Sequence, residues 1–243
     1  MTFTYLITGA SRSLGLGYAR ALLAARPDAR IVAAARSPDT AEGLAQLLKE
    51  YGKDKVHLLK LDVEDKAGVE AAVKKLESSG FLGKGGLDAL INNAGVAAGG
   101  TSSPSQVTRD DILGNLNTNL FGVINVTSAF LPLLQKGEGK QIFGLSSICA
   151  SIQDWGGNTS TTAYSISKVA LNMYLKKLSV ELEPAGFTVV MFHPGYVQTD
   201  MNKGHGQLTT KEATESATKN VFLAVSKKDN GAFVQWEGKP MPW

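Results

Sequence analysis

The chain has 243 residues, 43% of them hydrophobic and 19% charged, with a formal net charge of +3. These are ordinary figures for one large globular α/β domain or two small ones, and the interspersed charges exclude a dedicated nucleic-acid face. No span of about 20 apolar residues reads as a membrane crossing. The single cysteine, Cys149, excludes an internal disulfide; with no leader-like pattern at the start, the expectation is a cytoplasmic protein.

Strand-like and helix-like runs alternate along the chain. Tyr5–Thr8 reads as a strand and Leu14–Arg26 as a helix. Arg30–Ala35 is an apolar strand, followed by a helical run over Thr40–Glu50. His57–Val63 is a strand, then Lys66–Glu77 a helix. Leu87–Asn92 is a strand, and Gly99–Pro104 a loop by its breakers. A long helix spans Thr108–Gln135, and a strand follows over Gln141–Leu145. Thr161–Leu182 is a helix closed by Pro184 and Gly186. Thr188–Phe192 is a strand, Thr209–Val225 a helix and Ala232–Trp236 a last strand. The alternation predicts one α/β domain, residues 1–243, doubly wound around a parallel sheet with helices on both faces. In such sheets ligands bind beyond the carboxyl ends of the strands, so the polar residues there should converge.

The first strand runs into Thr8-Gly9-Ala10-Ser11-Arg12-Ser13-Leu14-Gly15-Leu16-Gly17, which opens a helix. Glycines let the backbone approach a ligand, and a helix N-terminus offers unpaired N–H groups to a pyrophosphate. The second strand ends Ala33-Ala34-Ala35-Arg36, with no acid before Asp39. An acid there would suit the ribose of NAD; Arg36, with Arg12 in the turn, favours the phosphate of NADPH. Either arginine alone reads equally well as a surface cation. Asp62 reaches an adenine or caps the next helix. Asn92-Asn93-Ala94-Gly95 lines a cofactor or makes a turn.

Tyr164 and Lys168 stand four residues apart on a predicted helix and so share a face. A Lys cation beside a phenol should lower its pKa toward working pH, as acid–base chemistry needs. On its own this spacing is common on helix surfaces. Ser147 follows the fifth strand and suits the role of holding a substrate oxygen; a helix cap is the plainer reading. Asn119, inside the long helix, needs partners if buried, from backbone or from a water leading to Lys168. His57, His193 and His205 have no metal-site spacing. Asn125-Val-Thr127 and Asn158-Thr-Ser160 are chance matches to a glycosylation pattern.

In this order, Thr8-Gly9…Gly15, Asn92–Gly95, Asn119, Ser147, Tyr164-x-x-x-Lys168 and Pro194-Gly195 resemble the classical short-chain dehydrogenase/reductase family, from first strand to last. Thr8–Gly17, His193–Met201 and the run Trp236–Trp243 resemble its carbonyl reductases of the sniffer and C-factor type. The resemblance implies a seven-stranded Rossmann-type sheet and an NADPH-dependent reductase of ketones or aldehydes. Tyr164 would be the proton donor. Lys168 would bond the nicotinamide ribose, Ser147 would hold the carbonyl oxygen, and Asn119 would anchor a proton-relay water. It implies cofactor contacts from Gly9, Ser11, Arg12, Ser13, Leu14, Arg36, Asp62 and Val63. Further contacts would come from Asn93, Ala94, Gly95, Tyr164, Lys168, Pro194, Gly195, Val197 and Thr199. The implied partner is a small carbonyl compound, with no nucleic acid and no membrane; family members occur as homodimers, homotetramers and, in some carbonyl reductases, monomers.

Two departures stand out. Ser13 occupies the family's middle glycine, where its Cβ would crowd the pyrophosphate or its hydroxyl would add a bond to a phosphate. The Ser147–Tyr164 spacing exceeds the usual one, so Gln153–Thr162 reads as an insertion. Ser147 rather than Ser151 takes the serine role, because it directly follows the strand. Met201, His205 and Leu208 lie in a loop that is a candidate lid or a plain surface loop. Two other readings remain open: an alcohol dehydrogenase acting in oxidation, and a non-catalytic NADP(H)-binding regulator.

Overall fold

The computed structural model describes residues 2–99, 103–154 and 156–243. Gly100, Thr101 and Ser102 of the predicted loop, and Trp155 of the insertion, lie outside the described residues. Seven strands form one parallel sheet: β1 (Phe3–Thr8), β2 (Ala29–Ala35), β3 (Val56–Lys60), β4 (Ala89–Asn92), β5 (Gln141–Leu145), β6 (Thr188–His193) and β7 (Phe233–Gln235). Their order across the sheet is β3-β2-β1-β4-β5-β6-β7, parallel throughout. The order reverses at β1, which opens a crevice between the carboxyl ends of β1 and β4.

The helices are α1 (Ser13–Ala25), α2 (Glu42–Tyr51), α3 (Lys66–Ser78), α4 (Arg109–Leu116), α5 (Val123–Lys136), α6 (Thr162–Leu182) and α7 (Thr210–Ala217). They form two layers because successive strand side chains point to opposite faces. In β2, Ile31, Ala33 and Ala35 join one core with α1 and α2, whereas Val32 and Ala34 join the other with α3, α5 and α6. Both faces are covered, so the strands read as unbroken apolar runs rather than alternations. One core centres on Tyr18, Phe143, Phe192 and Phe222, with ring centroids 4.9–5.2 Å from Phe222 and edge-on geometry. Each such pair adds about 1 kcal/mol beyond its buried area. On the other face α6 presses on β5: a Cβ at Gly144 would stand 2.1 Å from Leu175 Cδ1. That close approach brings the helix carrying Tyr164 against the strand leading to Ser147.

Several boundaries differ from the sequence reading. The predicted helix Thr108–Gln135 is α4 and α5 joined by a π-helical segment, Asn117–Gly122. The wider turn fits where Gly122 meets the loop after β3; a Cβ there would lie 2.7 Å from Val63 Cγ2. Thr209–Val225 likewise becomes α7 and a π segment, Thr218–Phe222. The third strand stops at Lys60 rather than Val63, because Asp62 turns the chain by accepting from the Glu64 N–H at 3.1 Å. The fourth begins at Ala89 rather than Leu87. Asp88 instead spends its carboxylate on the N–H groups of Thr4, Glu138 and Gly139 at 2.7–3.0 Å.

Candidate active site

The turn after β1 is built by close approach. Gly9 sits at φ +66, and a Cβ there would meet Ala94 Cα at 3.1 Å. A Cβ on Gly15 would meet the Gly9 carbonyl oxygen at 2.3 Å. Ser13 takes φ 47, so the chain keeps the left-handed backbone of a glycine while carrying a serine, at a cost of about 1 kcal/mol. The first turn of α1 has no side-chain cap and no acid; its N-cap is Arg12. Uncapped N–H groups at a helix start, beside a cradle that a Cβ would fill, fit the pyrophosphate of a dinucleotide. Ser11 and Leu14 are part-exposed along the same turn.

Arg36 is exposed just past β2, with no ion pair among the described residues. Arg12 does not join it: the Arg12 Nε lies 3.3 Å from Asp200 Oδ2. Asp62 is exposed, and it does not cap α3; Asp65 does, accepting from the Gly68 N–H at 3.0 Å. Val63 is buried and offers its carbonyl to Asn125 Nδ2 at 3.1 Å.

The segment after β4 is fixed by side chains that stand in for backbone. Thr8 Oγ1 accepts from the Asn93 and Ala94 N–H groups, both at 3.1 Å. Asn93 Nδ2 returns a bond to the Thr8 carbonyl at 2.8 Å. Asn119 is fully buried, in the π segment and not in a regular α-helix as expected. Its Oδ1 accepts from the Val96 N–H at 2.9 Å, and its Nδ2 donates to the Val96 carbonyl and to Ser167 Oγ, each at 2.9 Å. One turn earlier, Asn115 pairs in the same way with Ala98 at 3.1 and 2.9 Å. Sequence reasoning missed Asn115; its signal was the four-residue spacing to Asn119. Gly95 lies where a Cβ would come within 3.2 Å of Asn119 Oδ1 and 3.6 Å of Lys168 Nζ. The end of β4, the π segment and α6 therefore meet at one point.

Ser147 leaves β5 in extended conformation, and its Oγ accepts from the Cys149 N–H at 3.2 Å. Ser147 lies near enough to the Tyr164 phenol to pull its pKa down. Ser151 is turned elsewhere, its Oγ accepting from the Asp154 N–H at 2.9 Å. Lys168 is buried; its Nζ lies 5.7 Å from the Tyr164 ring centroid and donates to the Leu145 carbonyl at 2.7 Å. The expectation that Lys168 lowers the Tyr164 pKa is not met. Burial pushes the phenol up to about 12, with Ser147 pulling the other way. Burial also brings Lys168 down to about 8. Desolvation dominates at both groups, and the ammonium gives one donor to a backbone carbonyl.

After β6, Pro194 and Gly195 are buried, with Gly195 at φ +91, and Val197 is bridged to Leu208. Thr199 N–H donates to Asn202 Oδ1 at 3.0 Å, capping a short turn, Asp200–Asn202. The predicted lid is thus a loop tied at its base, with Met201 and His205 exposed. Among the described residues no cluster of His, Cys, Asp or Glu could hold a metal. No described helix is long and apolar enough to cross a membrane.

The profile of the short chain dehydrogenases matches residues 4–209. An oxidoreductase of Botryotinia fuckeliana, BOA17, is 33% identical over 239 residues, covering 98% of this chain and 82% of that protein. Among solved structures, the carbonyl reductase Sniffer of D. melanogaster superposes with a TM-score of 0.90 at 32% identity, over 100% of both chains. The NADPH-bound carbonyl reductase from chicken fatty liver does so with a TM-score of 0.89 at 32% identity, over 100% of this chain and 99% of that one.

Proposed function

Because the chain belongs to the short-chain dehydrogenase family, we propose that it is an NADPH-dependent carbonyl reductase that turns a ketone or aldehyde into an alcohol. The observation that carries this reading is buried Lys168, its Nζ 5.7 Å from the Tyr164 ring and donating to the carbonyl of Leu145, at the end of the strand that leads to Ser147. Bound NADPH would supply the hydride. Ser147 would hold the carbonyl oxygen by donating its hydroxyl proton to it. Tyr164 would give its own proton to the oxygen as negative charge builds there. A phenol whose pKa is pushed up to about 12 is protonated at neutral pH, the form that reduction needs and oxidation does not. Lys168, below a pKa of about 8, would present a cation to the nicotinamide ribose. Asn119 would keep the Val96 segment and Ser167 in place beside it.

NADPH is favoured over NADH by Arg36 at the end of β2, where no acid precedes Asp39. A carbonyl reductase of the same architecture, 32% identical, binds NADPH. Tyr164→Phe is the test. Turnover, followed by loss of reduced-nicotinamide absorbance with a panel of ketones, aldehydes and diketones, should fall by a factor of about a hundred or more. NADPH binding, followed by fluorescence, should stay near that of the wild type. Undiminished turnover in the variant would refute Tyr164 as the acid.

A further inference from the structure

The turn after β1 and the segment after β6 meet through one pair of side chains. Arg12 Nε lies 3.3 Å from Asp200 Oδ2, the two side chains being 73% and 70% exposed. In the sheet, β4 and β5 stand between β1 and β6. The pair therefore reaches across the ends of the central strands, over the crevice at the point of reversal. Asp200 is presented by a tied backbone. It opens the turn Asp200–Asn202, where Asn202 Nδ2 donates to the Val197 carbonyl at 2.7 Å and the Gly204 N–H donates to the Thr199 carbonyl at 2.9 Å. Arg36 has no such partner among the described residues. The two arginines that the sequence offers to one phosphate thus begin from different states: Arg36 is available, and Arg12 is engaged by an acid.

We propose that Asp200 sets cofactor selectivity: its carboxylate competes with the 2′-phosphate of NADPH for the Arg12 guanidinium. The inference rests on the NADPH reading above. A guanidinium holds a carboxylate or a phosphate through the same fork of N–H donors. NADH carries no 2′-phosphate and leaves the Arg12–Asp200 pair intact. NADPH must open that pair or share its donors, so Asp200 narrows the preference for NADPH without abolishing it. Repulsion between Asp200 and a bound pyrophosphate would act on both nucleotides alike, which separates the two effects.

The experiment is a fluorescence titration of NADPH and NADH into the wild type, Asp200→Asn, Arg12→Gln and the double variant. Asp200→Asn should tighten NADPH about two- to fivefold, the range that an exposed ion pair covers, and leave NADH unchanged. In the Arg12→Gln background the same substitution should change neither. An equal change in both nucleotides, no change in either, or a selective gain that persists without Arg12 overturns the inference. Asp200→Ala guards against an effect peculiar to asparagine and should act in the same direction. The cofactor reading fails separately, if the wild type binds NADH as tightly as NADPH and Arg36→Ala weakens both alike. In that event the inference stands only if Asp200→Asn still tightens NADPH alone through Arg12; otherwise it falls too.

Discussion

At the end of β6, His193 is buried with its ring edge-on to Trp236 at 6.0 Å. Its Nδ1 atom has no hydrogen-bond partner among the described residues, and burial pushes its pKa down to about 4. The unfolded chain takes up a proton near pH 6.5, whereas the folded one waits until about pH 4. Acidification therefore favours the unfolded state across that window. The contribution of His193 is full above about pH 6.5 and lost as pH falls toward 4, about 2 kcal/mol of it between roughly pH 7 and pH 5. Urea unfolding at those two pH values should show the loss, and His193→Leu should flatten it; an unchanged slope in the variant would assign the effect elsewhere. The sequence set His193 aside as a metal ligand but said nothing of its charge state. The placement of Tyr164 and Lys168 on one helix and of Ser147 just past β5 was legible from spacing and alternation. Their pKa values were not, because desolvation depends on which helix covers them. The Arg12–Asp200 pair was equally hidden, joining residues far apart in the chain that only the sheet order brings together.

Among the helices, α6 carries Tyr164 and Lys168 on one side and an exposed apolar row on another. Ile166, Met173 and Val180 recur every seven residues and are 40%, 59% and 64% exposed. That interval returns to nearly the same side of a helix, and the apolar row suits the same helix of a second copy. The expected outcome is a homodimer in sedimentation, with Met173→Lys shifting it to monomer while cofactor binding is kept; a wild-type monomer would refute the assignment. The helix itself was legible from its length and its closure at Pro184–Gly186. The π segment Asn117–Gly122 was not, since its extra residue per turn answers to Val63 packing against Gly122, a contact no local pattern encodes. Asn115 escaped notice although it stands four residues before Asn119; its partner, Ala98, is backbone of the loop after β4.

For the molecule as a whole, one parallel sheet covered on both faces followed from alternation and from buried runs such as Val189–Phe192, whereas its central seam is tied by one acid. Asp88 ties Thr4 to the Glu138-Gly139 turn through three backbone N–H groups. Asp88→Ala would leave those donors unpaired and should cost about 3 kcal/mol of unfolding free energy, read as a lower urea midpoint; an unchanged midpoint would show that water replaces the carboxylate. The seam also has a direction in time. Thr8 meets Asn93 and Ala94, so the turn after β1 can assemble once residue 94 has left the ribosome. The Gln153 N–H waits for the main-chain oxygen of Trp243, which it meets at 3.0 Å. Gly17 of α1, where a Cβ would touch Thr214 at 2.7 Å, likewise waits for α7. At ordinary rates of synthesis the interval is about ten to thirty seconds. During it the nascent chain would carry the turn after β1 backed by a face of α1 that α7 has yet to cover.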